Sequence, residues 1–240
     1  MYFYSVLPQC KNISTFSLAR NNLGCVGMST ILKSLDGFDE LTYFDISENI
    51  CLKTLRERDR TQVMTDSLKV FSFSHPSLKT LIFRGSLKNE LYAAASFIQA
   101  MSIIVSDSRF CVTTLDISEN YGGEAATAYF YAALESNETL TSISADGNMC
   151  GMKGIQALRT LLSRNTVITS VKIPTDDIDF MVKTIKSKQE QRALMTTIST
   201  ATQQIRSSLN DVKYIKIYNQ FYPFLLMFFC VELPEESKGG

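Results

Sequence analysis

The sequence predicts an α/β solenoid in which short parallel strands alternate with helices. A nine-residue phrase occurs twice almost letter for letter, as LTYFDISEN at 41–49 and as VTTLDISEN at 112–120. Each copy has apolar residues at its first, fourth and sixth positions and ends in Asn. Weaker copies lie at 13–21, 78–86, 140–148 and 168–176. Six units of one pattern indicate a stack of repeats, because one unit alone cannot bury its apolar face.

The spacing of the units indicates the class of repeat. Their closing positions are 28 residues apart between Asn21 and Asn49, between Asn120 and Asn148, and between Asn148 and Asp176. The two central steps are longer, at 37 and 34 residues. This period and this apolar pattern are typical of a leucine-rich repeat. We therefore predict a ribonuclease-inhibitor-like horseshoe of about six repeats over residues 1–176, with parallel strands and convex helices.

The repeated phrase also assigns roles to its residues. Phe44 and Ile46 are two residues apart, so in a strand they point to one face, which we expect to be buried. The Asn that closes each unit has an amide that can bond backbone groups of its own and the neighbouring coil. We therefore expect Asn49 and Asn120 to be structural.

Glycines follow two of the Asn residues and predict where helices begin. Gly24 and Gly27 are expected to form a turn into a helix with an apolar inward face, and Gly151 and Gly154 repeat this arrangement. The residues predicted to face inward are Ile31, Leu32, Leu35, Ile155, Leu158 and Leu162. No Gly-Lys-Ser/Thr follows either pair of glycines, which favours structural turns over phosphate-binding loops.

The region after the sixth unit predicts the end of the sheet and a long helix. Pro174 cannot donate to a further strand. Asp176, Asp177 and Asp179 suit the start of a helix better than a cation site. No Gly or Pro occurs between 176 and 222, so we assign residues 177–217 to a capping helix. This helix is predicted either to dimerise, as a coiled coil, or to fold back on the convex helices. The candidate dimerisation residues are Leu194, Ile198, Ile205, Leu209 and Val212.

Residues 218–240 form an apolar tail that allows three interpretations. Its run FYPFLLMFFCV at 221–231 is shorter than the ~20 residues that span a bilayer. The tail could pack as an apolar end, bind a membrane surface, or be non-native sequence from a misjudged gene boundary. The sequence therefore leaves membrane association open.

Composition and charge argue against several classes of function. Lys plus Arg and Asp plus Glu both number 24 among 240 residues, so no bulk charge favours nucleic-acid or membrane binding. The six cysteines have no Cys-x-x-Cys spacing and are expected to be reduced, buried thiols of a cytoplasmic protein. The N-terminus lacks the basic and long apolar regions of a signal peptide.

No set of residues predicts catalysis, a metal site or a cofactor. His75 is the only histidine, and Pro76 after it favours an extended loop. No hydroxyl group in the strands has a base beside it, so no hydrolase constellation is indicated. We therefore expect a non-enzymatic protein whose continuous curved surface binds other proteins.

The motifs between 135 and 209 resemble those of one family. They are SNETL, DGN, the SRN before the last strand, the KIPTDD exit and a Gln-rich helix. Together they resemble the end of the leucine-rich repeat domain and the start of the helical dimerisation region in the CARMIL family of actin capping-protein regulators. The resemblance implies a scaffold at the cell cortex that binds capping protein and myosin I and dimerises. Before 135 the resemblance is generic to cytosolic leucine-rich repeat proteins.

The chain also departs from that family. It carries neither the membrane-binding PH domain nor the disordered tail with capping-protein binding, so we expect a fragment, and no functional motif of the family carries over to a residue. One alternative is a Ran-type GTPase-activating repeat protein, which acts by orienting the catalytic groups of its partner. Another is a leucine-rich repeat inhibitor or sensor. The long C-terminal helix favours the scaffold.

Protein ligands are predicted to contact the outward strand positions that flank the buried pair, because alternate strand residues face opposite sides. These candidate positions are Tyr43, Asp45, Ser47, Arg84, Thr114, Asp116, Ser118, Ser142, Ser144, Asp146 and Lys172. Simple solvation of these side chains is the alternative.

Overall fold

The computed structural model describes residues 7, 10–50, 61–172, 174–184, 187, 189, 191–192 and 194–199. Strands and helices alternate along the chain. The strands are β1 (Thr15–Ser17), β2 (Tyr43–Asp45), β3 (Thr80–Ile82), β4 (Thr114–Asp116), β5 (Ser142–Ser144) and β6 (Ser170–Lys172). The helices are α1 (Gly24–Ser34), α2 (Thr61–Ser74), α3 (Ala94–Val105), α4 (Glu124–Ala133), α5 (Gly151–Arg164) and α6 (Thr175–Thr184). A short 3₁₀ helix, Leu134–Ser136, extends α4.

The six strands form one parallel sheet in chain order, from β1 to β6. Each of the six units found in the sequence supplies one strand at the same place in its pattern. The register therefore repeats, so that Phe44 lies between Phe16 and Leu81 of the neighbouring strands. The α/β class and the solenoid-like alternation of strand and helix are confirmed.

The apolar core lies between the sheet and the helices. The central residue of strands β2 to β6 is buried, and the Phe44 ring lies 5.1 Å from the ring of Phe71 on α2. The six helix residues predicted to face inward are all buried. Burial of apolar surface stabilises by about 25 cal/mol per Å², so this stack supplies most of the favourable free energy of folding.

Two glycines begin helices with backbone angles that other residues rarely adopt. Gly24 and Gly151 are the first residues of α1 and α5, with φ of 63° and 56°. Gly27 and Gly154 lie inside these helices rather than in the turns, which differs from the expectation. A Cβ on Gly151 would come within 2.7 Å of the Glu124 carboxylate, so a side chain at this position would have to displace Glu124.

Three of the Asn residues that close a unit, Asn49, Asn120 and Asn148, are buried connectors between coils, whereas Asn21 in the first coil is exposed. Asn120 is 1% exposed, and its amide nitrogen donates to the carbonyl oxygens of Phe83 at 2.7 Å and Ile117 at 3.1 Å. Its side-chain oxygen accepts the Ala93 N–H at 3.1 Å. Asn49, two coils earlier in the chain, makes the corresponding bonds. These bonds satisfy backbone groups that would otherwise be buried without partners.

The last position of this ladder is Asp177 rather than the expected Asp176. The Asp177 carboxylate accepts the backbone N–H groups of Asn148 at 3.2 Å, Met149 at 2.8 Å and Cys150 at 3.3 Å. Asp176 is exposed. The shift by one residue arises because α6 begins at Thr175. Asp177 lies in the first turn of this helix, and the helical backbone directs its side chain toward the preceding coil.

A second row of connectors lies at the ends of the helices, five residues before the strands begin. Asn165 and Asn137 occupy this position before β6 and β5, and the Asn137 amide donates to the Val105 carbonyl oxygen at 2.7 Å. His75 occupies it before β3. It is 3% exposed, and its Nε2 lies 2.9 Å from the carbonyl oxygen of Leu35. The only histidine of the chain thus links two coils, a role that the sequence analysis missed.

The long C-terminal helix expected from the sequence is interrupted. Helix α6 ends at Thr184, Ser187 is not helical, and helix is present again at 189, 191–192 and 194–199. Leu194 and Ile198 are 4% and 1% exposed and belong to the core of this chain. These two residues are therefore not part of an exposed dimerisation stripe. The other candidate dimerisation residues, Ile205, Leu209 and Val212, and the tail at 218–240 lie outside the described residues.

The cysteines in the described part of the chain form no disulfide. Cys25 and Cys150 are buried, Cys111 is partly exposed and Cys10 is exposed. The expectation of buried thiols is therefore correct for two of these four residues. Cys51 and Cys230 lie outside the described residues.

Candidate functional site

The face of the sheet that does not contribute to the core carries two rows of solvent-accessible side chains, which we call the open face. They flank the central residue of each strand, which is buried in β2 to β6 and partly exposed in β1, and they are in register across the sheet. The first row is Thr15, Tyr43, Thr80, Thr114, Ser142 and Ser170. The second row is Ser17, Asp45, Ile82, Asp116, Ser144 and Lys172. Each residue is partly or fully exposed.

The open face contains seven of the eleven positions predicted to contact ligands, and Arg84 extends it beyond β3 with a side chain that is 45% exposed. The remaining three, Ser47, Ser118 and Asp146, are buried, so the expectation that they face outward is wrong. The reason is that the chain turns inward after each strand toward the connector Asn. Hydroxyl groups in this turn bond internally, as in the 2.6 Å contact between the Ser118 and Ser144 oxygens.

Asp146 has a structural role at the start of α6. Its Oδ1 accepts the N–H groups of Gly147 at 2.9 Å and Asp176 at 3.0 Å. Its Oδ2 lies 3.5 Å from the Lys172 ammonium. Burial raises the pKa of the Asp146 carboxyl, and the Asp176 carboxylate adds to the shift. The side chain therefore serves the last helix instead of a ligand.

Two ion pairs lie where the strands run into their turns. The Arg20 guanidinium is 2.9 Å from the Glu48 carboxylate, and Arg84 pairs with Glu119, its Nε donating at 3.1 Å. Glu48 and Glu119 occupy the same place in the two nearly identical phrases and both have positive φ, 54° and 58°. These four charges compensate one another across neighbouring coils.

The two aspartates of the second row interact with the same guanidinium groups only at longer range, Asp45 with Arg20 and Asp116 with Arg84. Asp45 Oδ1 accepts the Ser47 N–H at 3.0 Å and its hydroxyl at 2.6 Å. Asp116 Oδ1 accepts the Ser118 N–H at 2.9 Å. Within the described residues neither carboxylate forms an ion pair with a basic side chain. The open face therefore has an acidic centre on β2 and β4.

Ile82 lies between these two aspartates and was not among the candidates from the sequence. It partners Asp45 on one side and Asp116 on the other in the strand register, and it is partly exposed. Its position in LKTLIFRGS corresponds to that of the two aspartates in their phrases, which is the signal that could have identified it. In the first row Tyr43 pairs with Thr80, and partial burial and the Asp45 carboxylate raise the pKa of the Tyr43 phenol.

An aromatic pair near the turn side of the open face was also missed. The rings of Tyr92 and Tyr121 are 5.3 Å apart, and Tyr121 is 48% exposed. A cleft of about 370 Å³ lies at this side of the sheet and is lined by Arg20, Asn22, Glu48, Asn89 and Leu91. Tyr92 and the cleft residues Asn89 and Leu91 belong to the longer third coil, whose extra length obscured their placement in the sequence pattern.

The described part of the chain contains no group of three or more His, Cys, Asp or Glu side chains arranged to hold a metal ion. No helix among the same residues is long and apolar enough to cross a membrane. No protein-family model matches the chain, and no curated protein matches it.

Proposed function

We propose that the chain is a non-enzymatic protein-interaction scaffold whose open face binds a partner protein. The observation that carries this proposal is the continuous row structure of the open face, which extends in register over all six strands. At about 4.8 Å per strand, six strands present a surface about 24 Å wide. A surface of this shape suits a macromolecular partner better than a small molecule, which binds in enclosed pockets.

The finer assignment within this proposal is a leucine-rich repeat horseshoe. It is supported by the 28-residue spacing, by the buried Asn connectors and by one strand per unit. A horseshoe would make the open face concave, so that a partner contacts several coils at once.

The most specific form of the proposal is a CARMIL-like regulator of cortical actin assembly. It is supported by the resemblance of the motifs at 135–209, and it places the chain in the cytoplasm near the cell cortex. One assay distinguishes this scaffold from the alternative of a Ran-type GTPase activator. It measures GTP hydrolysis by the partner, which an activator accelerates.

The test uses variants that block the open face without touching its internal hydrogen bonds. Thr114 and Ser142 are first-row neighbours in register on β4 and β5, so Thr114→Arg combined with Ser142→Arg puts two large side chains at its centre. Gln156→Arg, on the exposed side of α5, is the matched control. Partners captured from a cortical actin extract are purified, and their affinities for the parent and both variants are measured.

We expect the double variant to lose at least about tenfold in affinity, since steric overlap removes the central contacts, and Gln156→Arg to bind like the parent. Equal binding of the double variant and the parent would show that the open face is not the interaction surface. Acceleration of GTP hydrolysis by a captured GTPase would replace the scaffold with the activator.

A further inference from the structure

We propose that the open face recognises a basic helix of its partner, lying across the strands, with two Lys or Arg side chains seven residues apart. This inference rests on the proposed function and names the chemistry of the partner. Its structural basis is the acidic centre formed by Asp45 and Asp116, with the apolar Ile82 between them.

The arrangement of charge around this centre is uneven. The turn side of the open face has the carboxylates of Glu48 and Glu119 and the guanidinium groups of Arg20 and Arg84, which pair two by two. At β6 the ammonium of Lys172 faces the buried Asp146 carboxylate. Four carboxylates, including those of Asp45 and Asp116, therefore share two guanidinium groups, which leaves two negative charges in excess around this centre.

Both carboxylates are fixed by internal hydrogen bonds to one oxygen, which leaves the other oxygen for an external cation. Internal donors from Ser47 and Ser118 use only Oδ1 of Asp45 and Asp116, and within the described residues no hydrogen bond reaches either Oδ2. A fixed carboxylate with one oxygen available can pair with an ammonium or a guanidinium at little further cost in side-chain entropy.

Ile82 adds the apolar half of the recognition. It is partly exposed between the two carboxylates, in register with both. Lys and Arg pack their aliphatic stems on apolar surface while their charged ends reach outward. Two basic side chains that approach the carboxylates from a helix above Ile82 would therefore bury stem carbon atoms and satisfy both charges.

The separation of the two carboxylates selects a helix over a strand. Asp45 and Asp116 lie two strands apart, which corresponds to about 10 Å. In a helix, residues seven apart lie on one face and are separated by about 10.5 Å along the axis. In an extended segment, same-face residues are separated by about 6.6 or 13 Å, so neither spacing matches. An acidic partner would instead meet like charge.

The inference is tested with synthetic probes. The first is an alanine-based helical peptide with two arginines seven positions apart, and the second has the same composition with the arginines five positions apart, on opposite faces. Binding to the intact chain is followed by fluorescence anisotropy at low and at physiological ionic strength. The variants are Asp45→Asn with Asp116→Asn, and as a control Asp39→Asn with Glu40→Gln, which removes two exposed charges elsewhere.

We expect the first peptide to bind at least about tenfold more tightly than the second, with affinity that falls as salt rises. The Asp45 and Asp116 double variant should lose at least about tenfold, and the control pair should stay within about twofold. Asn keeps the Oδ1 acceptor, and melting curves verify that the double variant is folded. Equal binding of the two peptides, or of the double variant and the parent, would overturn the inference.

Failure of this inference is distinguishable from failure of the proposed function. A natural partner that binds the Asp45 and Asp116 double variant normally but loses affinity for the Thr114→Arg and Ser142→Arg variant leaves the open face as the interaction surface and rejects the basic helix. A partner insensitive to both double variants rejects the proposed function itself.

Discussion

Asn120 shows how one buried side chain holds neighbouring coils together. Its amide group joins the carbonyl oxygens of Phe83 and Ile117 to the N–H of Ala93, and these residues belong to two successive coils. The net contribution of each hydrogen bond is about 1 kcal/mol, whereas a buried group left unpaired costs about 1–3 kcal/mol. Asn120 therefore stabilises the stack mainly because it keeps buried backbone groups from being left without hydrogen-bond partners.

We predict that Asn120→Ala lowers the free energy of unfolding by about 1–3 kcal/mol, because buried backbone groups lose their partners. Asn49→Ala should behave alike, since it makes the corresponding bonds. Urea unfolding followed by circular dichroism measures both changes. Melting curves of Asn120→Ala that superimpose on the parent would show that the connector does not stabilise the stack.

Asp146 illustrates how burial makes a single residue sensitive to pH. Burial raises the pKa of this carboxyl, so its pKa is higher in the folded than in the unfolded chain. Such a group contributes stability below the unfolded pKa of about 3.9, and this contribution is lost as the pH rises through the folded pKa. At neutral pH the buried carboxylate therefore costs stability relative to acid conditions.

We predict that Asp146→Asn, which cannot titrate, gains stability relative to the parent as the pH rises from about 4 to neutrality. The measurement is the difference in free energy of unfolding between the two proteins at a series of pH values. A difference that stays constant with pH would mean that the carboxyl is as well solvated when folded as when unfolded.

At the scale of elements, the helices and strands are joined by a second row of connectors whose residue type varies. His75, Asn137 and Asn165 each lie five residues before a strand and bond a carbonyl group in the preceding coil. The nine-residue pattern predicted the strands and the connectors Asn49 and Asn120, because those positions repeat the same residues. It did not reveal the second row, because an imidazole and an amide serve the same purpose without resembling each other in sequence.

We predict that His75→Asn is better tolerated than His75→Ala. Asn can donate to a neighbouring carbonyl group as Asn137 and Asn165 do, whereas Ala leaves the Leu35 and Phe71 carbonyl groups without the contacts that the imidazole makes at 2.9 and 2.8 Å. The expected cost of Ala is about 1–3 kcal/mol. Thermal and urea unfolding compare the two variants, and equal loss in both would exclude a shared connector position.

At the scale of the whole molecule, the described residues form one stack in which each coil covers the apolar side chains of the next, and the surface chemistry of the stack follows from the strand register. The sequence predicted the buried rows and most of the open face, because alternation in a strand is a local property. It could not predict that Ser47, Ser118 and Asp146 turn inward, because that depends on how the chain bends after the strand. The burial of Leu194 likewise depends on contacts between distant segments.

The burial of Leu194 and Ile198 within this chain leads to a prediction about assembly. Leu194→Ala removes a side chain that is 4% exposed, and such a truncation costs about 2–5 kcal/mol. Because the lost contacts lie within one chain, we expect the loss of stability to be independent of protein concentration. The exposed Thr196→Ala is the control and should change the free energy of unfolding by less than about 0.5 kcal/mol. Urea unfolding over a hundredfold range of protein concentration, with light scattering at each concentration, distinguishes contacts within one chain from contacts in an assembly of chains. A midpoint that rises with concentration in the parent and not in Leu194→Ala would instead show that Leu194 stabilises an assembly of chains.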